Sequence, residues 1–383
     1  MKIDPYKHKE RYFNWKEKAL KEGIEGISKY NSDLILQYLT DMESGINVSI
    51  KSVKGARGYP RLNTLREKML FFSRRFKEIY DLDKITEINE EQLLLLFSKM
   101  RKGDIVKADG KNYLSANYFV KSFKSFWHWW QTINRKNGIK IEDLTTDLDS
   151  RGEKPKWVYL NEEQIKRLCD NAKYEYKVLI TFLFDSGVRS PTELINLKVS
   201  DLSKDYRELQ INDEISKTFG RRIKLMFCSD LLKQYVKEKE LKESDHLFLI
   251  SPATINKYLG RLAERILGDG LSLAGQKYSE LTMYDFRHCS CCYWLPRYKS
   301  ESALKYRFGW KKSDKIHYYS ELLGMKDTIQ EEDLFIDNTK TEIEKEQVRL
   351  RKENDLLRDK VDSMNEQMKE MFALVKGMLE KVN

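Results

Sequence analysis

A mainly α-helical chain with one small β-hairpin is predicted here. It comprises an all-helical domain over residues 1–150, an α+β domain over 151–337 and a C-terminal coiled coil over 338–383. Three observations predict it. Apolar residues step by three and four along two stretches of the first 135 positions, 62–79 and 119–133, the spacing of helices that bury one face. Two short strand-like runs flank a turn-rich stretch near residue 215. Residues 343–378 carry an unbroken alternation of four- and three-residue steps, apolar but for Gln347 and Asn354.

The helical domain is built from segments around 31–43, 62–80, 90–101 and 115–135. Leu62, Leu65, Met69, Phe72, Phe76 and Ile79 line one face of the second, with Arg66, Arg74 and Arg75 outside the stripe. Phe119, Phe123, Phe126, Trp130 and Ile133 do the same in "NYFVKSFKSFWHWWQTIN", with Lys121 and Lys124 outside. This aromatic stripe has core spacing, so it reads as core and not as a surface for stacking bases. The polar stretch "TTDLDSRGEKPK" is the linker.

Beyond it, Asn161 stands as an N-cap before Glu162 and Glu163. "YKVLITFLFDSGVRS" is apolar almost all round, the mark of a buried central helix, and it delivers Arg189 at its end. "YRELQI" and "RRIKLMF" form a hairpin with "SKTFG" between them, which puts Lys217 near the tip. Helices resume over 254–267 and 282–306. In the tail, with Leu350, Leu357 and Met364 at d, the a positions are Gln347, Asn354, Val361, Met368 and Val375. A buried Asn at a selects a parallel two-stranded pairing, so the tail is expected to zip two copies together.

Composition narrows the function. The chain has 383 residues and a net charge of +10. Residues 338–383 hold ten basic and ten acidic side chains, so the excess lies in residues 1–337. Residues 51–77 alone hold nine Lys and Arg against one acid, Glu67. Such density points to a polyanion, and double-stranded DNA is the expected partner, contacted by Lys51, Lys54, Arg57, Arg61, Arg66, Arg74, Arg75, Lys121 and Lys124. No apolar run reaches the roughly 18–20 residues of a membrane span, and the N-terminus is too charged for a signal peptide. Five cysteines without a disulfide framework fit a reducing cytoplasm.

"LTMYDFRHCSCCYWL", residues 281–295, looks at first like a metal site. A thiolate zinc site needs paired cysteines on a turn and a second pair elsewhere. Cys289, Cys291 and Cys292 instead follow one another on a helix and point in different directions, while Cys169 and Cys228 stand alone. No metal and no other cofactor is expected, and the cysteines read as core filling.

Four stretches in order, "FDSGVRSPTELINLKVSDL", "ISKTFGRRIKLM", "LTMYDFRHCSCCYWL" and "FGWKKSDKIHYYSELLG", resemble the catalytic domain of the tyrosine recombinases, the phage integrase and Xer-like family, and most closely its archaeal branch. The resemblance covers roughly residues 155–330, and the helical domain before it is similar to the family's SAM-like core-binding domain. It implies that Arg189 and Arg287 are the two arginines of the site, with Glu193 in support one residue later than the usual spacing. Lys217 takes the place of the hairpin lysine, with Arg222 and Lys224 nearby. Tyr284 stands where the family has His, a position at which archaeal members vary. Trp310 falls where the family has His or Trp, and Tyr319 at the nucleophile's spacing, five residues after Asp314, with Tyr318 beside it.

The chemistry implied is strand breakage without hydrolysis. Tyr319 attacks phosphorus and leaves a 3′-phosphotyrosine and a 5′-hydroxyl, so neither ATP nor a metal ion is required. Two arginines grip the non-bridging oxygens bidentately, as a point-charge Lys cannot. The Trp310 indole adds a donor. Lys217, on a hairpin that DNA can order, protonates the leaving oxygen. A phenol at Tyr284 donates well but is a poor base, so it positions the phosphate, and His288 or His317 or water takes the nucleophile's proton. The reading is therefore a site-specific recombinase of the integrase or excisionase type, paired by the zipper and tetrameric on synapsed DNA. The alternative is a non-catalytic DNA-binding regulator or architectural protein that keeps the fold and dimerises through the zipper.

Overall fold

The computed structural model describes residues 2–49, 52–107, 110–113, 115–152, 154–298 and 300–323, together with Leu350, Val361 and Met368. It divides into two compact units, Met1–Ile316 and His317–Asn383, and each is described by itself.

Five helices open the first unit: α1 His8–Glu22, α2 Lys29–Ser44, α3 Tyr59–Tyr80, α4 Glu90–Lys102 and α5 Ala116–Lys136. Their starts follow local chemistry. Ser28 accepts from the Asn31 N–H at the head of α2, and Asn89 and Gln92 satisfy each other's backbone N–H groups at the head of α4. The apolar faces of these helices meet in one cluster drawn wholly from residues 12–148, and Leu62, Leu65, Met69, Phe72, Phe76, Phe119, Phe123 and Phe126 all lie in it. The aromatic stripe is thus core. Trp129, also buried, satisfies its indole N–H on Asp41 at 2.8 Å. Helix α1 precedes the first helix expected from the sequence, at 31–43.

The linker is irregular but not loose. Asp149 accepts from Arg101 at 2.9 Å and from Arg151 at 3.0 Å. Beyond it come α6 Glu162–Asn171, α7 Tyr174–Ser186, β1 Glu208–Ile211, β2 Arg221–Lys224, α8 Ser229–Glu238, α9 Pro252–Leu267, α10 Met283–Trp294, α11 Glu301–Phe308 and α12 Asp314–Leu322. Asn161 caps α6 in a capping box with Gln164, as its place in the sequence predicts. α7 packs against α10 at the centre, with Val178, Ile180, Phe182 and Leu183 buried.

Two expectations change. A single helix over 282–306 is two, α10 and α11, because Pro296 has no N–H with which to carry the helix on. The second strand ends at Lys224 and not Phe227: the N–H groups of Met226, Phe227 and Cys228 turn away and converge on the Asp185 carboxylate at 2.8, 2.6 and 3.1 Å. That carboxylate thereby holds the N–H of Cys228, the residue from which α8 starts.

β1 and β2 pair antiparallel with Ile211 opposite Arg221 and Leu209 opposite Ile223. These four side chains are buried, while Arg222 faces out. The coiled coil expected over 338–383 lies outside the described residues, apart from Leu350, Val361 and Met368, each helical.

Candidate active site

The C-terminal end of α7 begins the site. Gly187, at φ +60, closes the helix, and Arg189 follows two residues on. The Arg189 guanidinium is fixed on three sides. Nη1 donates to Glu193 Oε1 at 2.7 Å, and Nη2 to the Gly309 carbonyl at 2.8 Å and to Thr218 Oγ1 at 3.4 Å. The Arg189 backbone N–H also donates to Glu193 Oε2, at 2.8 Å. Glu193 is wholly buried, at 0 % exposure, and the spacing one residue beyond the usual does not prevent it from holding Arg189.

Arg287 sits in the second turn of α10 and is 4 % exposed. Nη1 donates to the Gly187 carbonyl and Nη2 to the Phe308 carbonyl, each at 2.5 Å. Among the described residues no carboxylate pairs with it. Burial, followed by repulsion from Arg189, lowers its pKa to about 10, which still leaves it a cation at neutral pH. The helix that carries it is set by Asp285. That carboxylate accepts from the Thr282 N–H at 2.7 Å and hydroxyl at 2.6 Å, and its other oxygen from the Val158 N–H at 3.2 Å.

Two arginines that the sequence reading did not single out complete the floor. Arg221 is 1 % exposed and forks onto Glu193, with Nη1 to Oε1 at 3.0 Å and Nη2 to Oε2 at 2.8 Å, while its Nε donates to the Arg307 carbonyl at 2.9 Å. Arg307, also buried, donates to the Lys224 and Asp185 carbonyls at 3.0 and 2.5 Å and lies 3.4 Å from the Asp185 carboxylate. A signal for Arg221 was available in "RRIKL": if Ile223 faces inward, strand alternation turns Arg221 inward and Arg222 outward. Burial by itself raises the Glu193 pKa, but the hydrogen bonds and charge of Arg221 and the Arg189 N–H together bring it down to about 2.

Lys217 lies in the connection between β1 and β2, exposed, and no hydrogen bond or ion pair holds its ammonium among the described residues. Its neighbours are anchored. Thr218 donates to the Gly309 carbonyl at 2.8 Å, and Ser216 to Glu193 at 3.4 Å. The loop is therefore held on both sides of a free lysine. Arg222, by contrast, reaches back to Gln210 at 3.2 Å.

Tyr284 is 45 % exposed and meets the His288 ring edge-on, with centroids 5.1 Å apart. His288 in turn lies over Trp157 at 4.7 Å. The Trp310 ring stacks on Phe308 at 5.1 Å, and the backbone N–H of Trp310 closes α11 on the Lys305 carbonyl. Tyr318 and Tyr319 lie on α12 in the second unit, Tyr319 at 3 % exposure and Tyr318 half-buried. Cys289, Cys291 and Cys292 are buried, and burial pushes all three thiols up. Among the described residues no group of three or more His, Cys, Asp or Glu side chains could hold a metal ion, and no helix is long and apolar enough to cross a membrane.

The nine basic residues proposed to contact DNA divide into sets. Arg57, Arg61, Lys121 and Lys124 line one groove between α3 and α5, together with His128. Lys54 donates to the Val48 and Ser49 carbonyls, and Arg57 to Val53, so both also shape the loop before α3. Arg66, Arg74 and Arg75 lie outside the groove. Arg66 packs over Trp15 and beside Glu67, Arg74 reaches the Glu25 carbonyl, and Arg75 pairs with Glu78 at 2.7 Å. Lys51 is outside the described residues.

No protein-family model matches the chain, and no curated protein matches it. Solved structures do. The chain is similar to the XerH site-specific recombinase bound to palindromic difH substrate (TM-score 0.55, 16 % identity, 79 % of this chain and 96 % of that one). It is similar to the Tn1549 transposon integrase in complex with transposon right end DNA (0.54, 15 %, 76 % and 94 %). A lambda integrase dimer bound to a COC′ core site is a third (0.55, 14 %, 89 % and 85 %). At these identities the likeness is one of fold: the chain has the mainly helical, hairpin-bearing fold of these recombinase and integrase structures.

Proposed function

We propose that this chain is a site-specific DNA recombinase of the tyrosine recombinase family, of the integrase and Xer-like kind, which breaks and rejoins duplex DNA through a covalent bond between Tyr319 and the 3′-phosphate. One observation carries the reading. Arg287 is buried and Arg189, its side chain 11 % exposed, nearly so, on the carbonyls of consecutive residues, Phe308 and Gly309, and among the described residues no carboxylate pairs with Arg287. A buried charge without a counterion is costly, and a phosphodiester supplies the missing anion. A protein that merely bound DNA would find enough basic charge at its surface.

In this reading the two guanidiniums hold the non-bridging oxygens, and the Tyr319 hydroxyl attacks in line. The phosphorus–O5′ bond breaks, Lys217 gives its proton to that oxygen, and the nucleophile's proton passes to water or to His288 or His317. Tyr284 and Trp310 donate to the phosphate. Rejoining reverses the step with the 5′-hydroxyl of a partner strand, and the phosphotyrosine conserves the bond energy throughout, so neither a nucleotide nor a metal ion is consumed. Residues 1–150 grip the duplex through the Arg57, Arg61, Lys121 and Lys124 groove, residues 151–337 carry the chemistry, and residues 338–383 pair protomers that work as a tetramer on synapsed DNA. Tyr284 in place of the family's His is the feature that favours the archaeal branch.

The test is covalent trapping. Protein is incubated with labelled DNA from both flanks of its own gene, in chelator, and quenched with detergent. A protein–DNA adduct from wild type and Tyr318→Phe, absent from Tyr319→Phe, is the expected result. Tight binding without an adduct at any site would turn the reading to a regulator that keeps only the fold.

A further inference from the structure

Glu193 presents a difficulty for a site that must bind an anion. It is a wholly buried carboxylate bonded to Arg189 through both the backbone and the side chain. Alone with Arg189 it would form a closed, neutral pair and cancel the charge that Arg189 is there to supply. Arg221 changes that balance. Its fork covers both oxygens of Glu193 from the other side, and its third donor is used on the Arg307 carbonyl. The trio is therefore two guanidiniums on one carboxylate, with one positive charge left over.

We infer that Arg221 is a positioning residue: it neutralises Glu193, so that Glu193 orients Arg189 without quenching it, and it ties the strand that carries the Lys217 loop to the same carboxylate. The geometry supports both halves. Arg221 begins β2, four residues after Lys217, and sits opposite Ile211 at the end of the hairpin ladder. Ser216, just before Lys217, donates to the same Glu193 oxygen that accepts from Arg189 and Arg221. One carboxylate thus fixes the first arginine and both flanks of the lysine loop. Arg221 is placed to set their spacing without touching a substrate.

The inference rests on the anion-binding reading of Arg189, and the test separates the two. The probe is tungstate, titrated into the full chain, with the signal of Arg189→Met subtracted as background for other basic surfaces. Removing one buried charge from the trio shifts affinity by about tenfold or more. Arg221→Met is expected to weaken tungstate binding by that factor, because Glu193 then cancels Arg189. The double variant Arg221→Met, Glu193→Gln restores one net positive charge, and its binding is expected to return towards wild type. Glu193→Gln alone leaves two unbalanced guanidiniums and should bind more tightly than wild type, which keeps the idea testable even if Arg221→Met does not fold.

A purely structural Arg221 gives the opposite pattern, with the double variant as poor as the single or poorer, and that result overturns the inference. So does an Arg221→Met chain that binds like wild type. A wild-type chain whose tungstate signal equals that of Arg189→Met removes the anion site itself, and with it the reading on which the inference stands. A normal tungstate pattern with no DNA adduct leaves the inference in place and removes the recombinase reading alone.

Discussion

Gly309 lies against the Arg189 guanidinium: its carbonyl accepts from Nη2 at 2.8 Å, and a Cβ built on it would stand 3.3 Å from Nη1, 3.2 Å from Thr218 Oγ1 and 3.1 Å from Arg221 Nη1. It also holds φ at +60, where a side chain is disfavoured. Gly309→Ala is therefore expected to cost about 1 kcal/mol from the backbone alone and to push three site groups aside. Adduct formation should fall by more than the loss in thermal stability explains. An alanine variant that matches wild type in both measurements would show that the contact is slack.

Arg287→Lys tests the fork. A lysine can reach one of the two carbonyls, Gly187 or Phe308, but cannot span both while facing an anion. The cleavage rate is expected to fall by about 100-fold or more, with the fold intact by circular dichroism. A rate within a few-fold of wild type would assign Arg287 to packing.

Lys217 is expected to matter for rate and not for stability. Its ammonium is exposed and unbonded among the described residues, so Lys217→Ala should leave the unfolding midpoint unchanged while slowing cleavage by about 100-fold or more, as the loss of a general acid does. A substrate with sulfur at the 5′-bridging position needs no proton to leave and should recover the rate. Failure of that rescue would move the role to Lys224 or Arg222.

The Glu193 carboxyl predicts a pH dependence of stability. Its folded pKa, about 2, lies below the ordinary value of 4.5, so its ionised form stabilises the fold fully above about pH 4.5 and that contribution is lost as the pH falls towards 2. The buried Asp285 works the other way, since burial raises its pKa and ionisation then costs stability as the pH rises. Urea midpoints between pH 6 and pH 3 should drop less steeply for Glu193→Gln than for wild type. Parallel curves would mean that Glu193 contributes nothing through its charge.

Charge in the α3–α5 groove should set DNA affinity. Lys121→Ala with Lys124→Ala removes two groove cations and is expected to weaken binding to any duplex and to lower the salt slope by about 2. Arg75→Ala, whose guanidinium pairs with Glu78 outside the groove, should change neither. The reverse ranking would relocate the duplex.

What could be read in the sequence follows how local each determinant is. Asn161 and Gln164 announce α6 within four residues, and the stripes from Leu62 and Phe119 announce their helices because a core face repeats along one element. Arg189 and Arg287 were legible as members of ordered motifs. Arg221 and Arg307 were not, since a buried arginine is intelligible only through partners far along the chain, Glu193 at 28 residues and Asp185 at 122. The division of helix 282–306 is local as well, and legible at Pro296. Among the surface cations, composition could count charges but could not tell Arg75, already occupied, from Arg61 at the groove.

The anchoring of Ser216 and Thr218 on either side of Lys217 bears on when the conformational entropy of that loop is lost. A hairpin free until its substrate arrived would surrender that freedom with every encounter, and the loss would be subtracted from affinity each time. Here Glu193 and the Gly309 carbonyl remove it during folding. The lysine side chain is then the part of the loop left to order.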